Sequence, residues 1–330
     1  MAEWLYERGI GEERAALVVD GEILEAMIER DGTAPRAGSV VAAKLVRTLI
    51  PKRRGIVALD HGEALIESIP PGVSEGATLT VEVVREAIPE AGRPRLPKVV
   101  ASEKPLAPVP GLRDRLAATA IPVRELLAHQ ADALETAGWS DLIDEALSGE
   151  IAFPGGALRM SVTPAMTLFD VDGDLPLYEL ALAGAAAAGK AIRRMGLGGS
   201  IGIDFPTIAG KGERQAVAAA IDAVLPPPFE RTAVNGFGFL QIVRPRLRPS
   251  LPELLAADPV RTAALALLRR AERTPGAGPL ALHAAPDVIA LIESRADWLA
   301  ELGRRTGVSV RLCAEPSQPI IWGDVQRTPL

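Results

Sequence analysis

The sequence predicts a multidomain α/β (α+β) protein with a small β-barrel inserted near its N-terminus. Three observations carry that prediction. Between Gly38 and about Ala87, short apolar pieces alternate with glycine and proline, the spacing of a many-stranded small barrel. From Ile151 onward, strand-like and helix-like stretches follow one another, the texture of an α/β sheet. With 330 residues, 48% of them apolar, the chain has material for two or three domains with real cores.

The elements follow in order. The opening unit, residues 1–35, contains "ERAALVVDGEILEAMIERDG" (13–32), where apolar runs flank Asp20-Gly21. That pair is a strong type I′ turn signal, so a β-hairpin is expected. Over 36–90, "SVVAAKLVRTLI", "RGIVALD", "GEALIESI" and "ATLTVEVVRE" read as strands of a five-stranded, OB-type barrel. The stretch "PEAGRPRLPKVVASEKPLAPVPG" (89–111) is rich in proline and basic residues and reads as a linker. With residues 112–148, helical by pattern and broken at Pro122, it makes a linker and reduced helical segment over 91–150.

Within 151–251, "GALRMSV" and "AMTLFDV" read as adjacent strands, followed by an alanine-rich helix, "LYELALAGAAAAGKAIRRM". A buried strand, "SIGIDF", and a further helix, "ERQAVAAAIDAVL", come next, and a triple-proline break precedes "NGFGFLQIVRPRLRPS". Residues 252–330 form a small C-terminal domain, helical by pattern at first and ending in "GVSVRLCAEPSQPIIWGDV".

Composition narrows the function. A net charge of −6 argues against a chain that coats nucleic acid by bulk electrostatics. Aromatics are only 4%, so base-stacking platforms are few. One cysteine, Cys313, excludes an intrachain disulfide and an all-cysteine metal site. No apolar run reaches the ~18 residues of a membrane span, so a cytoplasmic protein without a membrane partner is expected. His61, His129 and His283 have no ligand spacing. Two basic pieces, "PKRRG" (51–55) and "RPRLRPS" (244–250), are candidates for phosphate contact.

The chemistry centres on "TLFDVDGDLPLYE" (167–179), where Asp170, Asp172 and Asp174 alternate after an apolar strand. Carboxylates two apart on an extended chain share a side and repel, which calls for a cation, a bend or solvent. A phosphatase-type "DxDGT" nucleophile motif lacks its threonine, replaced by Asp174, and its downstream partners. An EF-hand loop fails because Leu175 stands at its glycine and Ala181 at its final glutamate. "GAAAAGKA" (184–191) imitates a P-loop, but Ala191 stands at the metal-binding hydroxyl and the segment reads as core helix. Asp204 ends a second apolar strand, and the carboxyl edges of such strands are where α/β folds build sites.

The series "FPGGALRMSVTPAMTLFDVDGD", "GLGGSIGIDF", "ERQAVAAAID" and "FGFLQIVRPRLRPSL" resembles the catalytic core of the ribonuclease E/G family. There a strand ending in Asp-x-Asn, a strand ending in Ile-Asp-Phe and a Phe-Gly-Leu-x-Glu-x-x-Arg-x-Arg-x-x-Pro-Ser-Leu block occur in this order. The opening hairpin and barrel, including "VEVVREAIPEAGRPRL", and the late segment "RRTGVSVRL" are similar to that family too. The resemblance implies a ribonuclease-H-like/deoxyribonuclease-I-like α/β core and a small α/β C-terminal domain. It implies hydrolysis of single-stranded RNA with Mg²⁺, or Mn²⁺ in its place, held by Asp170 and Asp204. Asp172 stands at the family's asparagine and is the third catalytic candidate. Arg53, Arg54, Arg85, Arg231, Arg244 and Arg246 are the RNA-binding candidates.

The sequence departs from the family at several points. Residues 252–278 hold no Cys-x-x-Cys, so no zinc is expected. A homodimer through the C-terminal helices is left as an option without that link. The barrel lacks stacking aromatics, with Ile56 and Leu65 near their places, and Ala91 stands near a usual lysine. A catalytically weakened RNA-binding accessory protein of the same family is the alternative.

Overall fold

The computed structural model describes residues 1–32, 34–90 and 94–327. The chain is a multidomain α/β protein that divides into two compact units. One gathers Met1–Asp31, Leu116–Ser140 and Leu255–Leu330; the other gathers Gly32–Arg115 and Asp141–Leu254.

Strands β1 (Ala2–Arg8), β2 (Glu12–Val19) and β3 (Glu22–Arg30) are antiparallel neighbours. The β2–β3 turn has both central residues at positive φ, Asp20 at 52° and Gly21 at 88°. That is the type I′ geometry expected of Asp-Gly. The chain then forms a closed five-stranded barrel from β4 (Val40–Ile50), β5 (Arg54–Leu59), β6 (Gly62–Glu67), β7 (Thr78–Arg85) and β8 (Lys98–Ala101), ordered β4-β5-β6-β8-β7. Leu45, Val57, Ile66, Val81, Val83 and Val99 fill its core.

The fifth barrel strand falls inside the proline-rich stretch that reads as a linker. Its prolines lie outside β8, and Val99 between them is fully buried, pairing with Val83 and Ile66. Four residues are too few to show an alternation, which is why composition misleads here. Ala91 lies outside the described residues.

Next come α1 (Leu112–Ala117), β9 (Val123–Glu125), α2 (Ala133–Thr136) and α3 (Trp139–Ser148). The helical pattern of 112–148, broken at Pro122, is therefore realised in three short helices, with a strand in place of helix just after the break. After Pro122 the chain is extended, and β9 pairs in parallel with β1 to complete a sheet ordered β3-β2-β1-β9. Proline disfavours helix at the residue before it, and the edge of β1 offers the following backbone a partner.

The second sheet comprises β10 (Glu150–Phe153), β11 (Gly156–Val162), β12 (Thr167–Gly173), β13 (Gly199–Asp204), β14 (Glu230–Arg231) and β15 (Phe239–Arg244). Its order is β10-β11-β12-β13-β15-β14, and only β12 and β13 run parallel. Helix α4 (Leu177–Arg194) crosses from β12 to β13, and α5 (Lys211–Val224) follows β13. Alternation assigns the faces: Leu158, Phe169, Val171, Ile201, Ile203, Leu240 and Ile242 are buried on one side. Helix α4 packs against β11, β12 and α5. Its glycines set the approach. A Cβ on Gly184 would lie 2.5 Å from Val171 Cγ1, and one on Gly189 2.5 Å from Val224 Cγ2. The P-loop look-alike is thus a close-packed helix stretch. The other face of the sheet carries the polar residues.

The chain ends with α6 (Leu251–Ala257), α7 (Pro259–Arg273), β16 (Leu280–Ala284), α8 (Pro286–Ser294), α9 (Ala296–Thr306), β17 (Val310–Ala314) and β18 (Gly323–Arg327). The three strands form a sheet ordered β17-β16-β18. Leu265, Leu268, Leu280, Leu282, Val288, Ile292, Trp298 and Leu302 make the core beneath it. Helix α7 starts where Asp258 accepts from the Arg261 N–H at 2.9 Å, a side-chain N-cap. Helix α9 stops at Gly307 in the left-handed region. Among the described residues, no helix is long and apolar enough to cross a membrane.

Candidate metal centre on the open sheet face

Asp170 and Asp204 are Cα partners across the parallel β12–β13 pair. Residues in register on parallel strands point their side chains to the same face, with backbones about 4.8 Å apart. Phe169, Val171 and Ile203 turn inward beside them, and both aspartates are exposed. The apolar residues beneath α4 thereby fix two carboxylates side by side on the opposite face.

Neither aspartate makes an ion pair or side-chain hydrogen bond among the described residues. Two unit charges 4 Å apart repel by about 1 kcal/mol in water and about 4 kcal/mol at the effective dielectric of a protein surface. A cation between them removes that repulsion. All-oxygen donors, one or two carboxylates with water and phosphate completing the shell, suit Mg²⁺ or Mn²⁺. The donor set therefore fits the ion that the resemblance implies. Among the described residues, no group of three or more His, Cys, Asp or Glu is placed to hold a metal, so the pair stands without a third protein ligand of those types.

Asp172 lies two residues along β12 and shares that open face. Its Oδ2 is 3.4 Å from Nη1 of Arg159, whose Nε is 3.7 Å from Glu150 Oε1. Arg159 is itself the Cα partner of Asp170. More than half of each side chain in the Arg159–Asp172 pair is exposed, so the contact is worth about 0–1 kcal/mol. It nonetheless sets a cation beside the third carboxylate of the face.

The basic candidates occupy different surroundings. Arg53 and Arg54 lie at the β4–β5 turn and line a cavity of about 340 Å³ with Lys52, Glu67 and Ser68. Arg54 Nη2 meets Glu67 Oε1 at 3.2 Å, whereas the Arg53 side chain has no partner among the described residues. Arg85 donates to the Leu96 carbonyl at 2.7 Å; burial, with Arg95 and Arg246 nearby, pulls its pKa below the usual value. Arg246 is paired with Glu253 and lies 3.9 Å from Glu90. Glu253 also accepts from the Ser250 N–H and hydroxyl, both at 2.8 Å, so the "RPSLPE" stretch builds the start of α6.

Arg244 donates to the Leu197 carbonyl at 3.3 Å. Arg231 points to the helix-covered side and grips Asp222 of α5, with Nε 2.7 Å from Oδ1. That hydrogen bond raises the Arg231 pKa and lowers that of Asp222. The structure thus brings Asp170, Asp172 and Asp204 to one face, and leaves Arg231 on the other.

Two residues of this sheet and its turns escape sequence reasoning. Arg159 is one, although the alternation in "GALRMSV" opposite Asp170 would have exposed it. Phe237 is the other, 85% exposed in the turn before β15; an isolated phenylalanine between glycines carries no sequence signal of exposure. No protein-family model matches the chain, and no curated protein matches it.

Proposed function

We propose that the chain is a Mg²⁺-dependent endoribonuclease that hydrolyses phosphodiester bonds in single-stranded RNA, a short member of the ribonuclease E/G family without the zinc-linking cysteines. The observation that carries this reading is the in-register, unpartnered pair Asp170 and Asp204 on the open face of the six-stranded sheet. In this reading the closed barrel is an OB-type RNA-binding module. The sheet with α4 and α5 is the ribonuclease-H-like/deoxyribonuclease-I-like core.

Asp170 and Asp204 hold the ion, which when bound would polarise a phosphoryl oxygen and position a water for in-line attack. Asp172 adds charge that tightens the ion's hold and repels the scissile phosphate, and Arg159 offsets part of that charge. Arg53, with Lys52 beside it, offers phosphate contacts on the barrel.

A second reading has its own observation. Arg231 and Arg246 are committed to Asp222 and Glu253, and Ile56, near the expected stacking position of the barrel, is buried in this protein. Weakened RNA binding surfaces of that kind suit an RNA-processing accessory protein with reduced catalysis.

Incubation of a fluorescent single-stranded RNA with wild type and Asp204→Asn, in Mg²⁺ or EDTA, separates these. The endoribonuclease reading expects cleavage by wild type in Mg²⁺ alone. Cleavage surviving both EDTA and the substitution overturns the metal mechanism, and binding without cleavage favours the accessory role.

A further inference from the structure

The turn that leads into β15 of the six-stranded sheet carries an aromatic side chain with no structural use. Phe237 is 85% exposed, the one aromatic among the large exposed apolar residues described. Burial of such a ring is worth about 1.5–3 kcal/mol, so its exposure forgoes a stabilisation that the other phenylalanines described, at least half-buried, take up.

The turn that presents it is held on both sides. Asn235 Oδ1 accepts from the N–H groups of Phe237 at 2.9 Å and Phe239 at 3.0 Å. The Asn235 N–H donates to the Phe239 carbonyl at 3.0 Å, and the Gly238 N–H to the Asn235 carbonyl at 3.2 Å. Gly238 sits at φ 94°, and a Cβ there would fall 2.2 Å from the Phe205 carbonyl oxygen. The Phe205 N–H in turn donates to the Gly238 carbonyl at 3.1 Å. The turn is thereby pressed against the residue that follows Asp204.

Asp204 and Phe239 are Cα partners, so the turn that carries Phe237 adjoins the strand end that carries Asp204. Phe239 is already engaged, its ring over Gly202, where a Cβ would lie 2.6 Å from Phe239 Cζ. Phe237, by contrast, leaves most of its ring to solvent.

We infer that Phe237 is a nucleobase-stacking residue that holds one base of single-stranded RNA next to the phosphodiester presented to Asp170 and Asp204. This rests on the endoribonuclease reading. Stacking on an aromatic face is sequence-tolerant, because every base has a π-face, and a turn ordered in advance loses little entropy on binding. The base platform lacking in the barrel would then lie on the catalytic sheet.

The test uses full-length protein and single-stranded RNA oligomers, one intact and a set with a single abasic position moved along the chain. Binding is followed by fluorescence anisotropy in the Asp204→Asn background and cleavage in the wild-type background. Phe237→Ala and Phe237→Leu should weaken binding by about 5- to 100-fold, while Phe237→Trp restores it. The loss should vanish when the abasic position occupies one particular place near the cleaved bond. Wild-type cleavage with unchanged binding in Phe237→Ala and Phe237→Leu overturns the stacking role and leaves the ribonuclease reading intact. Absence of both binding and cleavage in wild type overturns the ribonuclease reading, and stacking with it. A change of oligomeric state in Phe237→Ala, with RNA binding unaltered, also overturns it and assigns the ring to a second copy of the chain.

Discussion

Two sites in this protein, one in each unit, treat acidic side chains in opposite ways. In the unit built from both chain ends, Glu7, Glu12 and Asp132 are largely buried and each is held by arginine. Arg14, 2% exposed, pairs with Glu7 and reaches Asp132 at 2.9 Å while lying 5.1 Å from the Trp139 ring. Arg273 bonds Glu7 at 2.5 Å, and Arg269 bonds Glu12 at 2.9 Å. Burial pushes the Asp132 carboxyl upward, but Arg14, the Glu135 N–H and Arg273 together hold it below its ordinary value. In the other unit, Asp170 and Asp204 stand in register, exposed and without any such partner among the described residues. The difference teaches how to tell structural acids from available ones: a buried acid is matched by the protein, and an available one is left for something else to match.

That contrast can be broken from either side. The largest effect is expected from Arg14→Ala, which leaves Glu7 buried with less compensation and should cost about 3–5 kcal/mol. Denaturant unfolding measures it, and a loss below about 1 kcal/mol would place the network among ordinary surface pairs. Asp170→Asn or Asp204→Asn should be neutral or stabilising by up to about 1 kcal/mol, since each removes a repulsion. A substantial destabilisation there would mean that these acids have structural work after all. Asp172→Asn should weaken the Mg²⁺ dependence of cleavage a few-fold, and calorimetric titration of the ion reads this directly; unchanged affinity sinks the role given to Asp172.

The smallest effect is a pH dependence in the C-terminal helices. Hydrogen bonds from Arg304 and Arg305 lower the pKa of Glu301 to about 2. A depressed carboxylate stabilises the fold above its unfolded pKa, near 4.5, and that contribution is lost as pH falls toward about 2. Glu301→Gln should therefore lower stability modestly above about pH 4.5, where the contribution is lost, and flatten the fall of stability between about pH 4.5 and 2. An identical acid limb in the variant would remove Glu301 from the account.

Much of this contrast was legible in the chain. Asp-Gly at 20–21 specified its turn, and the apolar runs before Asp170 and Asp204 specified strands that end in acids. The alternation in "TLFDVDG" gave their face. What hid from the sequence did so for physical reasons. Strand β8 is four residues between prolines, and β16, "LALHA", is an apolar run buried at the centre of its sheet, which periodicity cannot tell from helix. Strand β9 exists because β1 offers it an edge, a tertiary fact. Which arginines are committed to carboxylates depends on distant partners, as with Arg231 and Asp222. The exposure of Phe237 follows from a turn packed on Phe205, and no local pattern encodes it.

The central claim is that Asp170 and Asp204 together hold a divalent metal ion. Crystals soaked in Mn²⁺ and measured at its absorption edge test this most directly. An anomalous peak between the two carboxylates is expected in wild type, with its loss in Asp204→Asn. No peak there at saturating Mn²⁺, in protein that still cleaves RNA, would contradict it.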